Sequence, residues 1–203
     1  SAVALLPPPP HEAGTSRRHR RAHLQPAPAS AASRLAPHQP PTTHAKALVA
    51  GVEEDHRIEQ WWWDDATVAR LLHRMSAYDS PLLLGTPSLA VAAHAAKLPH
   101  TLLDLDERFA FLPSYRRFDL HRPEPPPGPL AAHDAVFCDP PFSNLALDQL
   151  RVALDALGCS AAHLFIAYNA RREAELLHAL APWQLAREHP LGYRSVSRRT
   201  QRH

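Results

Sequence analysis

Residues 81–106 read PLLLGTPSLAVAAHAAKLPHTLLDLD, and the succession of textures within them decides the architecture. P-L-L-L-G (81–85) is a short apolar run closed by glycine, the length of a buried strand. S-L-A-V-A-A-H-A-A-K (88–97) is alanine-rich and predicts a helix, and T-L-L-D-L-D (101–106) is a second apolar run. Strands joined through a helix pair in parallel, and a parallel sheet needs cover on both faces.

The same alternation continues outward. Upstream, D-D-A-T-V-A-R-L-L-H-R-M (64–75) offers Asp64 or Asp65 as N-cap and Val68, Leu71, Leu72 and Met75 as the apolar stripe of a helix. Downstream, Y-R-R-F-D-L (115–120) predicts a strand, and R-P-E-P-P-P-G-P (122–129) a proline-rich loop. D-A-V-F-C-D (134–139) is a strand, followed by a helix from Ser143 or Asn144 whose inner face is Leu150, Ala153, Leu154 and Leu157. H-L-F-I-A-Y (163–168) is a strand, 171–180 a helix, and 183–187 and 193–197 are two weaker strands. The expected fold class is α/β, a doubly wound and mostly parallel, Rossmann-like sheet.

Composition sets the boundaries. At 203 residues the chain can hold one domain of roughly 150 residues with a real core. Its first 45 residues are different material, with P-P-P-P at 7–10, R-R-H-R-R at 17–21 and Glu12 as the single acid. Such a segment buries too little apolar surface to offset its ordering entropy, so residues 1–50 are expected as a disordered tail and 51–203 as the domain. The tail, rich in arginine and poor in acids, also carries the texture of an organelle transit peptide. The formal net charge is +2, and beyond the tail acids and bases nearly balance, so no nucleic-acid surface is announced. Cys138 and Cys159 are isolated, which favours a reducing compartment, and the cytoplasm is the expectation. The 15 histidines are scattered without ligand spacing, so no metal is expected. No apolar run approaches the roughly 20 residues that span a bilayer. A monomer is expected.

Ligands of a doubly wound sheet sit beyond the carboxyl ends of the strands. Those ends read G-T-P-S (85–88), D-L-D (104–106), F-D-L (118–120) and D-P-P-F (139–142). Acids at neighbouring strand ends, aimed at one crevice, predict a site. Asp104 or Asp106, taken to share a strand face, suits ribose hydroxyls, and Asp119 an adenine amino group. With no G-x-G-x-x-G after the first strand there is no cradle for a pyrophosphate or for ATP. A nucleoside without pyrophosphate remains, and S-adenosylmethionine is the common one. Asp139 and the Pro140 carbonyl could each accept an N–H of an amine, with the Pro140–Pro141 pair holding both still. Phe142 could stack on a base or face a cationic amine. The same residues would serve adenine N6 or a lysine.

From about Gln60 to Ser197 the chain resembles the eukaryotic class I methyltransferases described as probable N6-adenine methyltransferases. Several of those are protein-lysine methyltransferases acting on the elongation factor that delivers aminoacyl-tRNA. The matching pieces are Q-W-W-W (60–63) before D-D-A-T, then G-T-P-S, D-L-D-E-R-F (104–109), F-D-L and D-P-P-F, in order. The resemblance implies S-adenosylmethionine as cofactor. It puts Gly85, Thr86 and Pro87 in the cofactor turn, Asp106 and Asp104 in the acidic motif after the second strand, and Asp139, Pro140, Pro141 and Phe142 in the amine-binding motif. The segment L-G-Y-R-S-V-S (191–197) matches the family's closing aromatic strand only loosely.

Trp61, Trp62 and Trp63 are expected either to cover the core or to cover the pocket. Tyr168 and Asn169 could line the acceptor cleft, with a helix cap as the favoured role for Asn169, and Arg108 is expected to pair with Asp104 or Glu107. The leading expectation is a protein-lysine methyltransferase whose partner is a protein, such as an elongation factor. The alternatives are an adenine-N6 methyltransferase on RNA or DNA, and a binding protein of the same fold without turnover.

Overall fold

The computed structural model describes residues 2–7, 52–55, 57, 60–128, 132–141, 143–189 and 191–195. Its sheet has seven strands: β1 (Ala2–Leu6), β2 (Pro81–Leu84), β3 (Thr101–Asp104), β4 (Tyr115–Arg117), β5 (Ala135–Cys138), β6 (His163–Ala167) and β7 (Gln184–His189). Their spatial order is β4-β3-β2-β5-β6-β1-β7. From β4 to β6 every neighbouring pair is parallel, and β1 runs antiparallel to both β6 and β7. The α/β, doubly wound and mostly parallel sheet expected from residues 81–106 is the observed fold.

Helices cover both faces, and the alternation of strand side chains assigns each face its partners. Leu83, Phe137 and Phe165 point to α1 (Asp65–Met75) and α2 (Pro87–Ala95), where they meet Val68, Leu72, Met75 and Leu89. Leu82, Leu84, Val136, Cys138, Leu164 and Ile166 point the other way, to α3 (Leu147–Ala156) and α4 (Glu173–Ala179), where Leu150, Ala153, Leu154 and Leu176 lie. Asp64 is the N-cap of α1, accepting a hydrogen bond from the Thr67 amide at 2.7 Å.

Several boundaries differ from the sequence reading. The strand expected at 115–120 stops at Arg117, because Asp119 turns the chain: its Oδ1 accepts from the His121 amide at 2.9 Å. The helix expected from residue 143 starts at Leu147, since the Pro141 carbonyl first accepts from the Asn144 and Leu145 amides in a separate turn. At 170–172 a 3₁₀ turn capped by Asn169 precedes α4, in agreement with the capping role expected of Asn169.

The tail reading needs a correction at its start. Ala2–Leu6 is strand β1, inserted between β6 and β7 with a register shift between Ala4 and Leu5. The average polarity of the first 45 residues conceals a five-residue apolar run, A-V-A-L-L, ahead of the prolines. Such a run is long enough to satisfy the facing backbone edges of β6 and β7. The basic cluster at 17–21 lies outside the described residues, as does 196–197 of the last expected strand; Tyr193 makes only an isolated bridge, to Trp63. No described helix is long and apolar enough to cross a membrane.

Order reverses between β2 and β5. β2 leads to β3 and β4 on one side, while β5 and β6 lie on the other, so the carboxyl ends of β2 and β5 stand side by side, Leu84 opposite Cys138. Gly85 and Asp139 are the next residues on each strand.

Candidate functional site

A cleft of about 290 Å³ opens at this switch point, near the lower end of small-molecule sites. The end of β2 contributes Gly85, Thr86, Pro87 and Ser88. Gly85 has φ +67°, and a Cβ there would stand 3.1 Å from the Asp139 carbonyl oxygen. Glycine is thus required twice, by the left-handed backbone and by the close approach of two strand ends. Gly85→Ala is expected to cost about 1–2 kcal/mol of stability in denaturant unfolding and to weaken ligand binding in the cleft by displacing Asp139. Thr86 precedes α2 with its hydroxyl buried and without a hydrogen-bond partner among the described residues, an orphan that a ligand could satisfy.

β3 contributes Asp104. Its Oδ1 accepts from the Asp106 amide at 2.8 Å, and burial pushes its carboxyl up to about 7. Asp106 is elsewhere engaged: β3 ends at Asp104, so the two acids do not share a strand face. Asp106 accepts from Gln60 Nε2 at 2.8 Å and takes Arg108 in a two-pronged contact at 2.9 and 2.8 Å. Its carboxyl is lowered: burial acts upward, but the hydrogen bonds from Arg108 and Gln60 outweigh it. Asp106 does not line the cleft; it anchors Gln60, which does. Arg108 pairs with Asp106 rather than with Asp104 or Glu107; Glu107 pairs with Arg117 at 3.0 Å. Past β4, Phe118, Asp119, Leu120 and His121 form a further wall, so Asp119 reaches the cleft from a turn and not from a strand end.

Directly after β5 comes Asp139, which lines the cleft while dense protein surrounds the rest of it. Burial pushes its carboxyl up to about 7, against the hydrogen bond from the Tyr193 hydroxyl, which lowers it. Pro141 lines the cleft; Pro140 is buried behind it and does not. Phe142 lies outside the described residues.

The three tryptophans divide as an extended segment should, by alternation. Trp61 and Trp63 line the cleft; Trp62 is buried in the core, edge-on to Phe109 with ring centroids 5.7 Å apart. Both expected roles are therefore filled, and Trp63 fills both, being buried in the same core as Trp62. Tyr168 is not in the cleft: it is buried on the α3/α4 face, its hydroxyl donating to Glu173 at 2.6 Å. The reason is parity, since the alternation that buries Ile166 on that face carries on through residue 168.

Residues that the sequence reading passed over also border the site: Arg57, Gln60, His121, Asn144 and, behind Asp139, Tyr193. Gln60 opened the Q-W-W-W motif and could have been nominated from it. Tyr193 lies 54 residues from Asp139 in a segment without strong pattern. Among the described residues no group of three or more His, Cys, Asp or Glu could hold a metal ion.

The sequence model of a family described as probable N6-adenine methyltransferase matches residues 54–192, which takes in every cleft-lining residue. No curated protein matches the chain.

Proposed function

The chain belongs to the family described as probable N6-adenine methyltransferases, a methyltransferase family, and from that premise we propose that it binds S-adenosylmethionine in this cleft and methylates the side-chain amine of a protein lysine. The charge of the lining carries the reading. Among the described residues the cleft is lined by three acids, Asp104, Asp119 and Asp139, and by one guanidinium-bearing residue, Arg57. A cleft of that sign attracts a cation and disfavours a phosphodiester backbone. A cation within it also draws the protons from Asp104 and Asp139. Trp61 and Trp63 offer apolar walls along which a lysine stem can lie.

The residues present fit the cofactor. The buried Thr86 hydroxyl, without a partner among the described residues, and the buried Asp104 carboxyl are groups that such a ligand would satisfy. Thr86 and Ser88 would hold its amino-acid end, Asp104 its ribose hydroxyls and Asp119 its adenine amino group. The group supplies, when bound, an electrophilic methyl on a sulfonium.

Asp139 acts on the acceptor. A lysine ammonium first gives one proton to water; the Asp139 carboxylate then accepts an N–H of the neutral amine and so directs the nitrogen lone pair, which is chiefly a positioning task. Transfer of the methyl would break its bond to sulfur, leaving a neutral thioether, and would make the nitrogen positive, a charge that the adjacent Asp139 carboxylate would offset. The surplus proton leaves to water. We further propose a monomer acting in the cytoplasm, with the elongation factor that delivers aminoacyl-tRNA as the first substrate to test.

Radiolabelled S-adenosylmethionine incubated with the full chain and either that factor or total cell lysate decides the acceptor. Label in protease-sensitive material is expected. Label in nuclease-sensitive material would favour adenine N6 instead, the reading that the family's description favours. No label, together with no cofactor binding by calorimetry, leaves a binding protein without turnover.

A further inference from the structure

Tyr193 lies one residue beyond the segment matched by the family model, in the L-G-Y-R-S-V-S run whose likeness to the family's closing aromatic strand is loose. Its hydroxyl donates to Oδ1 of the half-buried Asp139 at 3.2 Å. We propose that Tyr193 is a positioning residue: it holds one carboxylate oxygen of Asp139 so that the other is presented to the acceptor amine at a set angle. This rests on reading Asp139 as the amine acceptor.

The placement of Tyr193 is built rather than incidental. Residues 191–194 lie along the segment that carries the tryptophans. Asp64 donates its amide to the Gly192 carbonyl at 2.8 Å, and Arg194 donates its amide to the Trp62 carbonyl at 2.8 Å. Between those two bonds Trp63 and Tyr193 form an antiparallel bridge. The Gly192 amide donates to Thr67 Oγ1 at 2.8 Å, and a Cβ at Gly192 would overlap the Asp64 carboxylate that caps α1. Leu191, buried in the α1/α2 core, fixes the near end of the segment. A chain end docked through that many groups delivers a phenol to a set point.

The chemistry gives the phenol a task. A lone aspartate can rotate about its terminal torsion and offer either oxygen over a broad range of angles. A donor fixed to Oδ1 removes that freedom, and the amine meets an acceptor already aligned. Tyr193 keeps its proton for this role, because burial and then the neighbouring carboxylate push its hydroxyl well above the ordinary tyrosine range. The Trp63 indole N–H faces the same pair, buried and with no partner of normal geometry among the described residues, although its proximity lowers the Asp139 carboxyl. Cys138, a further titratable neighbour of Asp139 among the described residues, is pushed up by burial and stays neutral over the relevant range, while the positive charge of the chain's amino terminus acts to lower the Asp139 carboxyl.

The test uses the full chain with carboxyl-labelled aspartate, following the Asp139 titration by carbon NMR in the wild type, Tyr193→Phe and Gly192→Ala. Tyr193→Phe keeps the ring and removes only the donor. The Asp139 midpoint is expected to rise above its wild-type value of about 7, Gly192→Ala is expected to reproduce the rise by undocking the segment, and S-adenosylmethionine affinity is expected to hold in Tyr193→Phe. With an acceptor in hand, kcat in Tyr193→Phe falls about tenfold with KM for the cofactor unchanged. An Asp139 midpoint that does not move in Tyr193→Phe overturns the proposal. If the wild type binds no cofactor, the functional reading fails, while the titration still reports on Tyr193.

Discussion

Asp139→Ala is expected to lower methyl transfer by about 100-fold or more while leaving S-adenosylmethionine bound. The carboxyl sits at the end of β5, facing the cleft, beside Gly85 and held by Tyr193. Alanine removes the acceptor that orients the amine and the charge that offsets the methylated nitrogen. It leaves the β2 and β3 walls, where the cofactor contacts are proposed, untouched. Calorimetry with the cofactor, paired with single-turnover transfer, checks both halves. Transfer at the wild-type rate would refute the role of Asp139. The wild-type rate should also fall as pH drops through about 7, because burial holds the Asp139 carboxyl near that value and its protonated form loses the acceptor. Raising the pH through the same range restores the carboxylate and the rate.

Asp104→Asn should move two observables in opposite directions. Cofactor affinity falls about 10-fold to 100-fold, since a charged acceptor for hydroxyls becomes a neutral amide. Stability of the ligand-free protein at pH 8 rises. Burial lifts the Asp104 carboxyl from 3.8 to about 7, so the fold holds that proton more tightly than the unfolded chain does. Stability therefore declines as pH rises from about 4 through about 7, and the decline is complete above it. Asparagine removes the cost of the buried charge, and the unfolding midpoint in denaturant at pH 8 reads the gain. Asp139 contributes in the same window and with the same sign. Asp106 acts oppositely and at lower pH: its carboxyl is lowered, so its contribution is present above about 4 and lost on acidification. Unchanged affinity in Asp104→Asn would remove Asp104 from the cofactor site. Greater stability with weaker binding is the pattern of a residue kept for function.

How far the sequence could be read followed from the range of the interactions involved. The run 81–106 was legible because strand and helix textures are local, and a strand–helix–strand unit has one common arrangement. Its strand ends then named Gly85, Thr86, Asp104 and Asp139, all at the observed cleft. The errors arose where a local rule met a long-range partner. Strand alternation alone puts Asp106 on the face of Asp104, but the strand stops between them and Arg108 and Gln60 claim the second acid. Tyr168 was taken for the cleft, yet its parity turns it into the opposite core.

The sequence by itself determined the alternation of strands and helices, the α/β class and the carboxyls at the strand ends, because periodicity and chain connectivity carry that information within a few dozen residues; the strand order and its switch point came from the tertiary structure. Tertiary structure alone decided which acid stays free for a ligand, which tryptophans face it, and that a strand from the first six residues enters the sheet. It alone also set Tyr193 behind Asp139. These depend on contacts between residues far apart in the chain, where one hydrogen bond or one buried face selects among side chains that look alike in sequence.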